Sequence, residues 1–162
     1  MTNKPRRLSV GLRRSLCIAV LPLGVLCTST SSWADTCTGY DALVSQSAET
    51  TDLGHGLKLT NFKSQSILIS NDSVYNLATG ECSGITLQTP DGKTQSSGYC
   101  ARRDKNGDTQ SISFRQAPGT DKGEWKATGG TGKFAGKQNS GWYQMVRADG
   151  NMLVTKWGGD CH

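Results

Sequence analysis

Two glycine–lysine pairs, Gly132-Lys133 and Gly136-Lys137, sit inside the run TGGTGKFAGKQNSGW at 128–142. The backbone N–H groups of such a run can cradle a phosphate while the lysine reaches its outer oxygens. That chemistry needs G-x-x-x-x-G-K followed by Ser or Thr. Thr131 stands where the first glycine should precede Gly136-Lys137, Gln138 follows that pair, and Phe134 follows Gly132-Lys133. The dinucleotide spacing fails as well, because Gly130-Gly132-Gly136 is one residue too long. No nucleotide site is expected, and Lys133 and Lys137 read as solvated.

Other residues with chemical potential fare similarly. The string DKNGD (104–108) imitates the start of a calcium loop, but Thr109 and Arg115 occupy the positions that need glycine and an acid. A hairpin turn at Asn106-Gly107 is the expectation, and no metal site is expected. His55, within Gly-His-Gly, and His162 are the only histidines. Neither has a partner visible in sequence, and no G-x-S-x-G elbow exists, so no catalytic residue and no cofactor is assigned. Asn71-Asp72-Ser73 matches a glycosylation sequon, a short and common pattern.

The chemistry that does stand out is cysteine pairing, and it depends on where the mature chain begins. Lys4, Arg6, Arg7, Arg13 and Arg14 precede the apolar run LCIAVLPLGVL (16–26), and Ser32-Trp33-Ala34 supplies a small-x-small cleavage pattern. Residues 1–34 therefore read as a cleaved signal peptide, and the apolar run is too short for a permanent membrane span. Export to a periplasmic or extracellular compartment follows. Of 18 Lys and Arg, five precede Asp35 and none of the 13 acids does, so the mature chain carries 13 charges of each sign. Nucleic-acid binding leans on excess Lys and Arg, so no nucleic-acid partner is expected, and Arg102-Arg103 reads as a solvated pair. Cys17 and Cys27 leave with the signal, and four cysteines remain: Cys37, Cys82, Cys100 and Cys161. In an exported chain these form two disulfides with three possible pairings.

The remaining 128 residues (35–162) form one domain. Short alternating segments separated by Gly, Asp, Asn and Pro turns give an all-β pattern. Strands are predicted near 39–49, 57–61, 64–70, 82–89, 94–102, 110–116, 123–128, 141–147 and 152–157. Eight or nine strands suffice to close a small antiparallel barrel; segment 72–80 fits either a helical turn or a loop. Pro90-Asp91-Gly92 suits a three-residue hairpin loop. Centring the loop on Asp91 places Cys82 directly opposite Cys100, within disulfide reach, and leaves Cys37 to bridge Cys161 across the first and last strands. The same register predicts Ile85, Leu87, Tyr99 and Ala101 on the core side. With Asp149-Gly150 as the turn, a last hairpin pairs Trp142 with Trp157 and Val146 with Leu153.

The segment Gly129-Gly130-Thr131-Gly132-Lys133-Phe134-Ala135-Gly136 resembles the signature turn of the allene oxide cyclase and dirigent barrels. Gly107-Asp108 and Ile112-Ser113 resemble the strand before it. The series Cys82, Gly84, Gly98-Tyr99-Cys100, Asp104, Gly107-Asp108 is similar to secreted bacterial members of this superfamily. The likeness covers roughly residues 80–147. It implies an eight-stranded, lipocalin-like barrel with an apolar cavity, a trimeric assembly, and a small lipophilic ligand. The expected function is non-catalytic binding of such a ligand. The alternatives are a cyclase or isomerase acting in the same cavity, and a ligand-free envelope or interaction protein.

Overall fold

The computed structural model describes residues 37–161; the predicted signal segment and His162 lie outside the described residues. Eight antiparallel strands follow one another in chain order and close on themselves. They are β1 (Cys37–Gly54), β2 (Leu57–Ser70), β3 (Thr79–Gln88), β4 (Thr94–Arg103), β5 (Thr109–Gln116), β6 (Lys122–Gly130), β7 (Ser140–Asp149) and β8 (Met152–Asp160). The two segments predicted at 57–61 and 64–70 are one continuous strand, β2, which resolves the count at eight. Closure comes from β1 pairing with β8, Cys37 opposite Gly159 through Val44 opposite Met152.

Turn chemistry sets much of the register. His55 and Gly56 both take positive φ, 54° and 79°, between the facing residues Gly54 and Leu57. That is the type I′ geometry, which matches the strand twist. The β3–β4 hairpin pairs Cys82 with Cys100 as the Asp91-centred loop predicts, and the structure joins them as a disulfide. A second disulfide joins Cys37 to Cys161.

Two sequence expectations need correction. Although the β3–β4 register holds, the faces are reversed. Cys82 and Cys100 point inward, while Ile85, Tyr99 and Ala101 are exposed and Leu87 is half-buried. The interior of this hairpin is made of cystine, glycine, hydroxyls and Arg102, so apolarity marks the wrong side. In β7–β8 the two-residue turn is Gly150-Asn151, with Gly150 at φ 59° in the position that type II′ turns reserve for glycine. A bulge between Met145 and Arg147 then shifts the register by one. Trp157, inward in phase with Leu153 and Thr155, consequently faces Tyr143, whereas Trp142 faces Gly158.

Each end of the barrel has its own character. The tight hairpins β1–β2, β3–β4, β5–β6 and β7–β8 lie together at one end. At the other end the β2–β3, β4–β5 and β6–β7 connections interlock into a plug. The segment left open at 72–80 begins with a helical turn, Asp72 accepting from the N–H groups of Tyr75 and Asn76. It delivers Tyr75, 4% exposed, into the barrel end. The Tyr75 hydroxyl accepts a 2.6 Å hydrogen bond from Asn139 Nδ2. Its ring packs on Phe134 and Trp157 at 5.6 and 6.0 Å between centroids.

The glycine-rich run supplies the rest of the plug. Phe134 is buried inside a short 3-10 turn (Gly132–Phe134). Gly132 sits at φ 52°, and a Cβ there would fall 2.0 Å from Asp108 Oδ1, so only glycine fits. Lys137 is exposed as expected, but Lys133 is not simply solvated: its ammonium pairs with the buried Asp104 carboxylate. Asp104 also anchors the 104–108 turn, its Oδ1 accepting from Asn106 N and Asp108 N at 2.9 Å. The hydrogen bond from Lys133 is the main reason the Asp104 carboxyl lies below its ordinary value. A carboxyl with a depressed folded pKa stabilises above its unfolded value and loses that contribution as pH falls through the folded one. Lys133→Met is therefore expected to lower the melting temperature at neutral pH, with the gap to wild type closing in acid. A gap that stays constant across that titration would remove Asp104 from the account.

Candidate functional site

The sequence puts alternate residues of every strand into the barrel, and the interior retains a cavity of about 340 Å³. Its wall is largely apolar, from Leu43 on β1, Phe62 on β2, Ile112 and Phe114 on β5, Trp125 on β6, Tyr143 on β7 and Leu153 on β8. The Cys82–Cys100 disulfide forms part of the same wall. Thr86, Ser96, Gln116 and Asn151 carry the lining toward the hairpin end. The plug closes the opposite end.

One part of this wall is polar. Asp41 on β1, 3% exposed, accepts a hydrogen bond from Arg102 Nη2 on β4 at 2.7 Å. The two residues are 61 apart in sequence and separated by strands β2 and β3. Gly80 on β3 makes the reach possible. It lies directly opposite Arg102, and a Cβ at Gly80 would stand 2.9 Å from Arg102 Cγ. The missing side chain leaves a corridor along which the guanidinium crosses to Asp41. Arg102 is thus an inward, ion-paired residue and not half of a solvated pair; Arg103 alone is exposed.

This pole is incompletely satisfied. Asp41 Oδ1, Arg102 Nε, Ser64 Oγ and Trp157 Nε1 are buried and lack a hydrogen-bond partner within the protein. All four residues, with Thr155 opposite Asp41, line the cavity. Buried polar atoms of this kind normally find a partner, and leaving one without costs about 1–3 kcal/mol. Burial pushes the Asp41 carboxyl above its ordinary value, against the lowering pull of Arg102 and of the nearby Ser66 hydroxyl. Removal from water therefore outweighs the ion pair, as it does for many buried pairs. Further along the wall, burial pushes the Tyr143 hydroxyl up to about 12. It stays protonated and can donate. Together the groups offer one free carboxylate oxygen, several N–H and O–H donors, and an apolar chamber beside them.

A larger concave region of about 1440 Å³ lies on the outer wall of the barrel, where Ile85, Tyr99 and Trp142 stand among serines. It is open to solvent, so its polar groups can be satisfied by water. The interior chamber, where water must enter a mostly apolar space, makes the stronger demand for a ligand.

No family model matches the chain, and no curated protein matches it in sequence. Among solved structures, the pterocarpan synthase dirigent protein is similar in fold. It is 17% identical, with a TM-score of 0.49, over 91% of this chain and 94% of that one.

Of the residues singled out from sequence, the structure brings the four cysteines to the barrel as two bridges. Their roles differ: Cys82–Cys100 lines the cavity, and Cys37–Cys161 holds the plugged end. His55 sits exposed at the β1–β2 turn and does not line the cavity. Asp41, Ser64, Arg102, Thr155 and Trp157 were not identifiable as a group from sequence. The available signal was parity: Asp41 shares an inward phase with Leu43, and Arg102 with Cys100.

Proposed function

We propose that this protein is an exported, disulfide-bonded barrel that binds one small, mostly apolar ligand in its interior without transforming it. The observation that carries this reading is the 340 Å³ chamber with its polar pole of unpartnered buried atoms. A cavity of about 150 Å³ already holds benzene, so this one has room for a bicyclic molecule or a short chain. An apolar chamber with a few convergent polar groups is the usual form of a small-molecule site. The two disulfides are compatible with an oxidising compartment. Native mass spectrometry of protein purified from its own source should find one small adduct per chain, released by organic extraction. Filling the chamber with Leu153→Trp should abolish the adduct while the fold is retained. Protein that carries no adduct, and takes none up from a source lipid extract, would refute the reading.

One observation favours a second reading, a cyclase or isomerase. Asp41 is a buried carboxyl whose pKa is raised by desolvation, and it stands beside a cation in a chamber of substrate size. That is the kind of environment in which a carboxyl can exchange a proton with a bound molecule. If the recovered adduct is a mixture of isomers in a constant ratio, the enzyme reading gains. A ligand-free interaction protein has less support, because the interior is not filled with side chains. Tyr40, Val44, Ile67, Ile69 and Met152 leave apolar surface on the outer face of β8, β1 and β2. This supports a homo-oligomer, a trimer by the resemblance, and the same spectra report the stoichiometry.

A further inference from the structure

The polar pole constrains the kind of head group that a ligand can carry, an inference that rests on the ligand-binding reading above. From its unpartnered atoms we infer that the chamber selects a neutral ligand whose single polar group both donates and accepts hydrogen bonds, such as an alcohol, and discriminates against a carboxylate of the same body. Asp41 Oδ1 can only accept, so it calls for a donor. Arg102 Nε and Trp157 Nε1 can only donate, so they call for an acceptor, and the Ser64 hydroxyl can serve in either sense. A hydroxyl supplies both halves of this set in one atom. A carboxylate supplies only the acceptor half and places a second negative charge beside Asp41.

The charge balance points the same way. Asp41 and Arg102 already neutralise one another at 2.7 Å, so the pole presents no net charge for an ion to answer. A charged head would be stripped of water in an apolar chamber with no counter-ion, a cost that far exceeds the loss for a neutral group. Five aromatic rings in the wall, from Phe62, Phe114, Trp125, Tyr143 and Trp157, suit a flat body behind that head.

The test compares two probes of one shape, naphthalene-2-methanol and naphthalene-2-carboxylate, titrated calorimetrically into the disulfide-bonded protein at pH 7. The alcohol is expected to bind at least about tenfold more tightly, the factor set by ~1.4 kcal/mol. Asp41→Asn leaves Arg102 as a lone buried cation, so the order of preference should invert in favour of the carboxylate. Ser64→Ala removes a hydroxyl with no partner in the fold, and should weaken the alcohol several-fold; if Asp41→Asn does not fold, the wild-type comparison of the two probes decides the head-group rule. If neither probe binds, the ligand-binding reading fails and this inference with it. If both bind alike, or the carboxylate binds more tightly to wild type, the chamber stands as a site and the head-group rule is overturned. An Asp41→Asn protein that keeps the wild-type preference also overturns it.

Discussion

Replacing Arg102 with alanine is expected to destabilise the protein by about 3–5 kcal/mol, the usual cost of leaving one member of a buried ion pair alone. Asp41 would keep its charge at an almost fully buried site, with the Ser66 hydroxyl beside it and Thr155 opposite it on β8. The carboxyl escapes only by taking up a proton, so the variant should recover part of its stability as pH falls. The double variant Asp41→Leu with Arg102→Met tests the explanation. Two apolar side chains of similar volume often replace a buried pair without loss. Most of the stability should therefore return, while the preference for a hydroxylated ligand should not. Urea denaturation of the wild type, the single variant and the double variant reads both stability effects. A double variant no more stable than the single one would show that Arg102 acts through packing over Gly80 and not through charge.

Removing the Cys37–Cys161 bridge, by alanine at both positions, is the other large effect. The bridge spans 124 residues. Loop-closure entropy for a span of that order corresponds to about 4–5 kcal/mol, against ~3 kcal/mol for the 18-residue span of Cys82–Cys100. The two losses should also differ in kind. The long bridge secures the seam between β1 and β8, where Cys37 faces Gly159, so its loss should expose the seam to hydrogen exchange ahead of the other strands. The short bridge ties a hairpin that its turn already holds in register, and its loss should alter the cavity wall more than the seam. Exchange protection mapped on the two alanine pairs distinguishes these outcomes. Equal protection losses in both would contradict the division of roles.

Much of the scaffold was legible from local signals. Pro90-Asp91-Gly92 sets the β3–β4 register because turn geometry fixes which residues face each other. Cys82 opposite Cys100 then follows from counting. The inward face of the same hairpin was not legible. Reading apolar residues as core assumes a filled interior, but a barrel that keeps a chamber needs small and polar groups inside. Gly84 and Gly98 face each other there, and Phe62 and Phe114 lie against their bare backbone. Ile85 and Tyr99 were left for the outside. In β7–β8 a single bulge at Val146 brings Tyr143 in place of Trp142 opposite Trp157, and no residue type announces such a bulge. The Asp41–Arg102 pair was hidden for another reason. Each is a lone charge in its own strand, and only the curvature across β2 and β3, with Gly80 as the gap, brings them within 2.7 Å. The glycine-rich run was conspicuous in sequence and proved to be the plug, with Phe134 inside and Lys133 tied to Asp104.

Closure by β1 against β8 also dictates when the chamber can exist. β1 gains its first neighbour at once, through the tight turn at His55. Its second neighbour lies more than a hundred residues further along the chain. Contacts of such long sequence separation form late and slowly, because the chain entropy between them must be lost first. Until β8 docks there is a curved open sheet and no chamber, and Asp41 lacks Thr155 and Trp157 on its other side. On the ligand-binding reading proposed above, a ligand therefore cannot template the early steps of folding. It would be held only once the last strand has completed the wall, which would make loading a property of the finished barrel.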